Sequence, residues 1–259
     1  MLPLKDNIPT RRFPIVTVAI IVICTLVYFG FQGGGLTGVN ETKVVKYAAI
    51  PYEITHPGKH CDPVPTPQGE AVACEGEPGV RGHAGSQPST LLTILFAMFM
   101  HGSLLHIAGN MLFLWIFGNN VEDSMGPFRF LVFYLLGGLI ATAAQVAVDP
   151  NSTTPTLGAS GAIAAVLGGY AVLYPRARVI TLVFIIIFVT VIELPALLVL
   201  GAWFLLQLVD ASSQQAAGGG GGVAYFAHIG GFLFGLLLIR LFANNVQDDY
   251  DHRQGIPVY

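Results

Sequence analysis

The chain alternates long apolar runs with short polar breaks, and these runs set its organisation. Ile15 to Phe31 is continuous and apolar, follows Arg11 and Arg12, and stops at Gly33-Gly34-Gly35. A helix crossing a hydrocarbon core of about 30 Å needs about 20 residues, with about 17 as the lower bound. The run therefore predicts a first membrane-spanning helix. Five later runs predict five more, at about Ser103–Gly118, Phe128–Val148, Ser160–Tyr174, Ala196–Val209 and Val223–Phe242. Asp149-Pro150, Pro175 and the glycines at 218–222 punctuate them, as residues that end helices do.

Two apolar stretches are too short to span. Leu91 to Met100 stops at His101-Gly102 and predicts a buried or interfacial helix leading into the second span. Residues 179–192 end at Glu193-Leu194-Pro195 and fall below the lower bound of about 17 residues. If they did cross, the last helix would enter the membrane from the opposite side. Without them the reading is an all-α polytopic bundle of six transmembrane helices. Between the first and second spans lies a polar loop, 32–90, rich in Gly and Pro. A short loop holding Glu122 and Asp123 follows the second span.

Basic residues orient the bundle, since cytoplasmic loops are enriched in Lys and Arg. With the N-terminus inside, Lys5, Arg11, Arg12, Arg129, Arg176, Arg178, Arg240 and Arg253 are cytoplasmic. Lys43, Lys46, Lys59 and Arg81 fall outside, all in the one long loop, where charge has less influence. The expected organisation is a cytoplasmic segment 1–14, a membrane domain 15–243 with 32–90 as its extracytoplasmic loop, and a cytoplasmic tail 244–259. No cleavable signal peptide is evident, so the first span reads as a retained anchor.

Composition agrees. Hydrophobic residues make up 53% and charged residues 10% of the chain, against about 25% charged in a soluble domain. The mean hydropathy is +0.66. Such a chain lacks the polar surface to stay in water, so its solvent is the lipid bilayer. A net charge of -3 argues against nucleic acid as a partner.

The candidate chemistry sits near the ends of three spans. Ser160 opens the fourth within Gly158-Ala159-Ser160-Gly161, and His228 lies about one turn into the sixth. Gly231 and Gly235 share the face of His228 and form a G-x-x-x-G pair, which lets another helix approach closely. Gly161, Ala165 and Gly169 form a matching stripe on the fourth span. Close approach of the two stripes would bring Ser160 within hydrogen-bond reach of His228, provided that both helices run the same way. Six spans meet that condition. His106 and Asn110 are spaced i, i+4 on the second span and project from one face at similar depth. Their N–H groups suit an oxyanion, as does the N–H of Ser160 at a helix start. No carboxylate is placed to orient His228, so a Ser–His dyad is expected, with His228 as general base.

Taken with their order, these motifs resemble the rhomboid family of intramembrane serine proteases. The carriers are H-x-x-x-N at His106/Asn110, G-x-S-G at Gly158–Gly161, and A-H-x-x-G-x-x-x-G at Ala227–Gly235. The resemblance covers roughly residues 90–243. It implies a six-helix fold with an outward-opening, water-filled cavity and cleavage of transmembrane protein substrates in or near their spans. Ser160 is then the nucleophile, His228 the base, and His106 and Asn110 the oxyanion donors. No metal or other cofactor is expected, and a bacterial inner membrane is the expected location. Two features depart from some bacterial members: the first loop has no Trp-Arg pair, and Ala164 stands where a Tyr stacks on the catalytic His.

Blander readings exist for each residue alone. Ser160 could cap a helix, His228 could sit on a carbonyl, and His106 and Asn110 could be interhelical glue. A rhomboid-like factor that binds membrane proteins without cutting them, or a small transporter, are the competing functions. In the long loop, Cys61 and Cys74 suggest a disulfide in an oxidising compartment. A metal site with His56, His60 and His83 is the alternative, although the spacing matches no common site. Cys24 reads as a small buried hydrophobe.

Overall fold

A computed structural model of the chain describes residues 2–36, 38–66, 69–80, 82–185, 188–216 and 223–246. The chain opens on strand β1, Leu2–Asp6, and enters helix α1, Ile15–Leu26, whose last turn widens into a π-turn over Val27–Phe31. Two short helices follow, α2 (Glu41–Tyr47) and α3 (Pro51–Thr55). Asn40 caps α2 by accepting the Lys43 N–H, and Pro51 occupies the first turn of α3. Strands β2 (Cys61–Thr66) and β3 (Gly69–Cys74) form a hairpin, with Cys61 facing Cys74. These two cysteines are joined in a disulfide, which leaves no thiolate for the metal site considered above. Helix α4 (Thr90–Ala97) then leads into α5 (Leu104–Phe113), capped by the Ser103 hydroxyl on the His106 N–H.

Helix α5 does not stop at Gly118. It passes through a π-turn at Leu114–Gly118 into α6, Asn119–Met125, so Glu122 and Asp123 sit on a helix rather than in the expected loop. Gly126, at φ +82°, reverses the chain into α7, Pro127–Val148. Helix α8 spans Ser160–Leu173. Strands β4 (Arg178–Ile185) and β5 (Phe188–Pro195) come next, then α9 (Ala196–Ala216) and α10 (Tyr225–Leu238), which ends in a 3₁₀ turn at Ile239–Leu241. By length and composition Leu104–Met125, Pro127–Val148 and Ala196–Gln215 can each cross a membrane, and Ile15–Phe31, Ser160–Leu173 and Tyr225–Leu241 are shorter apolar helices. Of the expected tail, residues 247–259 lie outside the described residues.

The all-α expectation needs correcting at 178–195. Val179, Ile180, Thr181, Val189, Thr190, Val191 and Ile192 are β-branched, a composition that favours strands. The stretch folds into the β4–β5 hairpin, and β1 adds antiparallel to β4 to make a three-stranded sheet, β1-β4-β5. The hairpin base is closed by the Ala196 N–H on the Ala177 carbonyl, at 2.8 Å. The chain thus leaves α8 and starts α9 from the same end of the bundle. As a result α8 and α10 run parallel.

Helix α8 is the centre of the bundle, and every residue from Gly161 to Ala171 is buried. Its contact with α10 is made backbone on backbone. A Cβ at Gly231 would strike the Gly161 carbonyl oxygen, one at Gly235 the Ala165 carbonyl oxygen, and one at Gly168 the Phe232 carbonyl oxygen. The pairs 161/231 and 165/235 advance together, as parallel helices require. Gly161 itself turns its missing side chain toward α7, where a Cβ would lie 2.6 Å from that of Ala141. Gly169 faces Ile239, so Gly168, rather than Gly169, admits the α10 backbone.

Candidate active site

Gly158 prepares the start of α8. Its φ of +128° is one that residues with a Cβ rarely adopt, and its N–H is held by the Ala97 carbonyl at 2.8 Å. A Cβ here would also come within 2.9 Å of His106 Cε1 and Nε2. Glycine thus lets the chain turn into the helix directly beneath the His106 ring. Ser160 is the first residue of α8, and its side chain caps nothing. Ser160 Oγ lies 2.7 Å from His228 Nε2 on α10 instead.

The opposite face of the imidazole has a partner that sequence reasoning missed. His228 Nδ1 lies 2.6 Å from Gln207 Oε1 on α9. The Gln207 amide nitrogen donates to the Trp203 carbonyl one turn back, at 3.3 Å, which turns its oxygen toward the histidine. An amide oxygen only accepts, so Nδ1 carries the proton and Nε2 keeps its lone pair toward Ser160. The Trp203 ring lies against the imidazole, with centroids 5.8 Å apart and planes at 39°. Tyr225 adds an edge contact at 6.4 Å. On the far side, Gln145 of α7 accepts the Ala227 N–H at 3.3 Å and holds the first turn of α10. The signal for Gln207 was present: it is the one amide in the run Ala196–Val209.

His106 and Asn110 both reach the cavity in front of Ser160. That cavity, of about 350 Å³, is lined by His106, Asn110, Ser160, Trp203 and His228, with Met98 and Phe113 among its apolar walls. The Gly102 N–H meets His106 Nδ1 at a long 3.4 Å. A donor at Nδ1 leaves the ring proton on Nε2, the atom beside Gly158. Asn110 Nδ2 is buried and has no hydrogen-bond partner among the described residues. A donor left unpaired inside a protein costs about 1–3 kcal/mol. His101 packs edge-on against His106, with centroids 5.2 Å apart, and its own two ring nitrogens are also buried and unpartnered.

A serine hydroxyl against an imidazole nitrogen, that imidazole's other nitrogen against an amide oxygen, and an unpartnered amide donor thus meet at one cavity. Comparison with known proteins gives the chain a family. The family model described as "Rhomboid domain" matches residues 88–245. The chain belongs to the rhomboid family. It is 30% identical over 148 residues to the bovine presenilin-associated rhomboid-like protein, mitochondrial, covering 56% of this chain and 37% of that protein. It is 30% identical over 151 residues to Rhomboid protein 1, mitochondrial, of Saccharomyces cerevisiae, covering 56% of this chain and 40% of that one. Rhomboid protease GluP of Bacillus subtilis is 40% identical over 81 residues, which is 31% of this chain and 15% of the relative. The chain thus spans well under half the length of these relatives. The bovine and yeast proteins, each matched over more than half of this chain, are mitochondrial, so the expectation of a bacterial inner membrane gains no support from them.

This rhomboid departs from some members at the residue one turn after Ser160. Ala164 is fully buried, and a Cβ at Gly231 would lie 3.3 Å from its methyl group. The α8–α10 contact leaves no room there for a phenol ring. Trp203 brings an aromatic surface to His228 from α9 instead.

Proposed function

We propose that this rhomboid is an intramembrane serine endopeptidase that cuts transmembrane protein substrates in or near their spanning segments. The carrying observation is the 2.7 Å contact between Ser160 Oγ and a His228 Nε2 whose other nitrogen is engaged. In the forward step the Ser160 Oγ–H proton passes to Nε2 as Oγ bonds to the scissile carbonyl carbon. The carbonyl oxygen becomes an oxyanion. The Asn110 amide, His106 Nε2–H and the Ser160 N–H, free of any partner within its helix, are the donors for it. Collapse breaks the C–N bond, the leaving amine takes the proton from Nε2, and Ser160 is left acylated. Water then adds with His228 again as base, releasing the carboxylate and restoring the serine.

The membrane arrangement of this proposal has six passes, with both chain ends on the cytoplasmic side and 32–90 outside. Residues 1–14 and 244–259 are then cytoplasmic. The β1-β4-β5 sheet supports an even count, because it removes 179–192 from the set of candidate spans. Length supports a recessed nucleophile. Helix α8 has 14 residues and rises about 21 Å, short of a hydrocarbon core of about 30 Å. A nucleophile at the end of such a helix sits below the membrane surface, and the cavity gives water a route to it.

The test uses a fluorophosphonate probe and a single-span model substrate in micelles. Labelling and cleavage are expected in the parent chain and absent in Ser160→Ala and His228→Ala. Cleavage is expected to fall in acid as His228 takes a proton. Equal labelling of Ser160→Ala would remove Ser160 from its role. A folded parent chain that binds the substrate uncut would make this rhomboid a binding factor.

A further inference from the structure

We infer that Gln207 is a positioning residue for the base, so the working unit is Ser160–His228–Gln207 rather than a dyad. The inference rests on the protease reading above. Three observations carry it. The Gln207 amide is a buried polar group, with 8% of its surface exposed, in the stretch Ala196–Val209 of α9 that is otherwise apolar. Nonpolar surroundings make an idle amide costly, so its hydrogen bonds are the reason that it is tolerated. Its oxygen lies 2.6 Å from His228 Nδ1, the shorter of the two contacts of that ring. Its nitrogen is committed to the Trp203 carbonyl, so a rotated amide would set oxygen against oxygen.

The chemical consequence lies in the tautomer. A neutral imidazole carries one proton and can present a lone pair to Ser160 only if that proton is on Nδ1. Gln207 Oε1 selects that form. When Nε2 takes the serine proton, Nδ1–H keeps donating to Oε1, and the imidazolium meets the same oriented dipole. Gln207 supplies orientation and tautomer selection without a fixed negative charge. The third member is a neutral amide, so no carboxylate marks it in the sequence. Each member of the unit comes from a different helix: Ser160 from α8, His228 from α10 and Gln207 from α9.

The same residue accounts for what holds His228 while Ala164 occupies the place of the stacking tyrosine. Trp203 packs on the imidazole face, and its carbonyl anchors the amide that holds the imidazole edge. One turn of α9 therefore restrains the base in two directions.

The experiment compares Gln207→Leu, Gln207→Glu and the parent chain in micelles. Gln207→Leu keeps the volume and removes the acceptor. Its kcat is expected to fall about 100-fold with KM little changed, since general-base assistance is worth about 10²–10⁴ and only part of it is lost. Gln207→Glu restores an acceptor. It is expected to recover most of that loss and to move the acid limb of the pH profile, which a merely structural role would not do. Nitrogen-15 NMR of histidine-labelled protein reads the tautomer without any turnover. The parent His228 is expected to be protonated on Nδ1, and Gln207→Leu to lose that preference. A parent His228 protonated on Nε2, or a Gln207→Leu variant with parental kcat and pH profile, overturns the inference. A parent chain that neither labels nor cleaves while showing the Nδ1 tautomer defeats the protease reading and leaves the hydrogen bond standing.

Discussion

Helix α8 carries a polar cluster at each end, and the two are built on opposite rules. At its start Ser160 and His228, the latter backed by Gln207, line a cavity of about 350 Å³ in which the Asn110 amide has no partner among the described residues. At its far end Tyr170 donates to Asp6 Oδ2 at 2.6 Å, and Asn120 donates to the same oxygen at 2.7 Å. There Tyr174 also donates to the Asn120 carbonyl at 3.1 Å. Beside them the Glu122 carboxylate takes two N–H groups and a hydroxyl from the first turn of α1. The first cluster opens on space and keeps a donor waiting; the second is filled by protein and ties β1, α1, α6 and α8 together. Buried polar groups are expensive unless they are paired. A donor left unpaired beside a cavity points to a ligand or a charge yet to arrive. The Asp6 and Glu122 carboxylates, each taking two or more donors from other elements, point to architecture. There only Asn120 Oδ1, which lines no part of that cavity, has no partner among the described residues.

The largest expected effect tests the architectural end. Asp6 is buried, and desolvation pushes its carboxyl up to about 7 from 3.8. Between these values the folded chain holds a proton that the unfolded chain has released. Stability from this group is therefore full below about pH 4 and is lost as pH rises through 7. The window is worth about 4 kcal/mol. Asp6→Asn keeps an oxygen for Tyr170 and Asn120 and has no proton to lose. The thermal midpoint in micelles is expected to fall from pH 5 to 8 in the parent chain and to stay level in Asp6→Asn. A parallel slope in the two proteins would show that Asp6 is not the titrating group.

Asn110→Ala is expected to separate the two rules within one residue. Loss of one oxyanion donor lowers kcat by about 10²–10³, or about 3–4 kcal/mol in the barrier. The same change removes a buried donor that the folded chain leaves unsatisfied, so the thermal midpoint is expected to hold or rise. A fall in stability with an unchanged rate would make Asn110 interhelical glue.

How far these clusters could be read from the sequence depends on the distance between partners. Ser160, His228, His106 and Asn110 were legible because each lies in a local pattern with helical spacing, and because the small residues at 161, 231 and 235 announce a close helix contact. Gln207 was not, since a lone amide in an apolar run shows no partner until α9 packs against α10. The β4–β5 hairpin was not, since a short apolar run does not distinguish a strand from a buried helix by period alone. Its β-branched residues were the available sign. Glu122 resembled a loop carboxylate because the helix that it caps starts more than a hundred residues earlier.

Glu122 gives the smallest effect and the cleanest opposite to Asn110. Its Oε1 accepts the Val16 N–H at 2.9 Å, and its Oε2 accepts the Thr17 N–H and hydroxyl, each at 2.8 Å. The first N–H groups of a helix have no partner within it, and their partial positive charge favours an anion. Glu122→Gln keeps one oxygen and turns an N–H₂ toward donors that have lost their acceptor. Hydrogen bonds to charged groups are worth about 1.5–3 kcal/mol each, and part is retained by the remaining oxygen. The expected loss is therefore about 2 kcal/mol in stability, read as a lower thermal midpoint in micelles. Labelling by the fluorophosphonate probe is expected to stay at the parental rate, because the cap lies at the end of the bundle away from Ser160. A slower labelling rate at parental stability would mean that the α1 cap reaches the Ser160 end, and the division of labour along α8 would have to be abandoned.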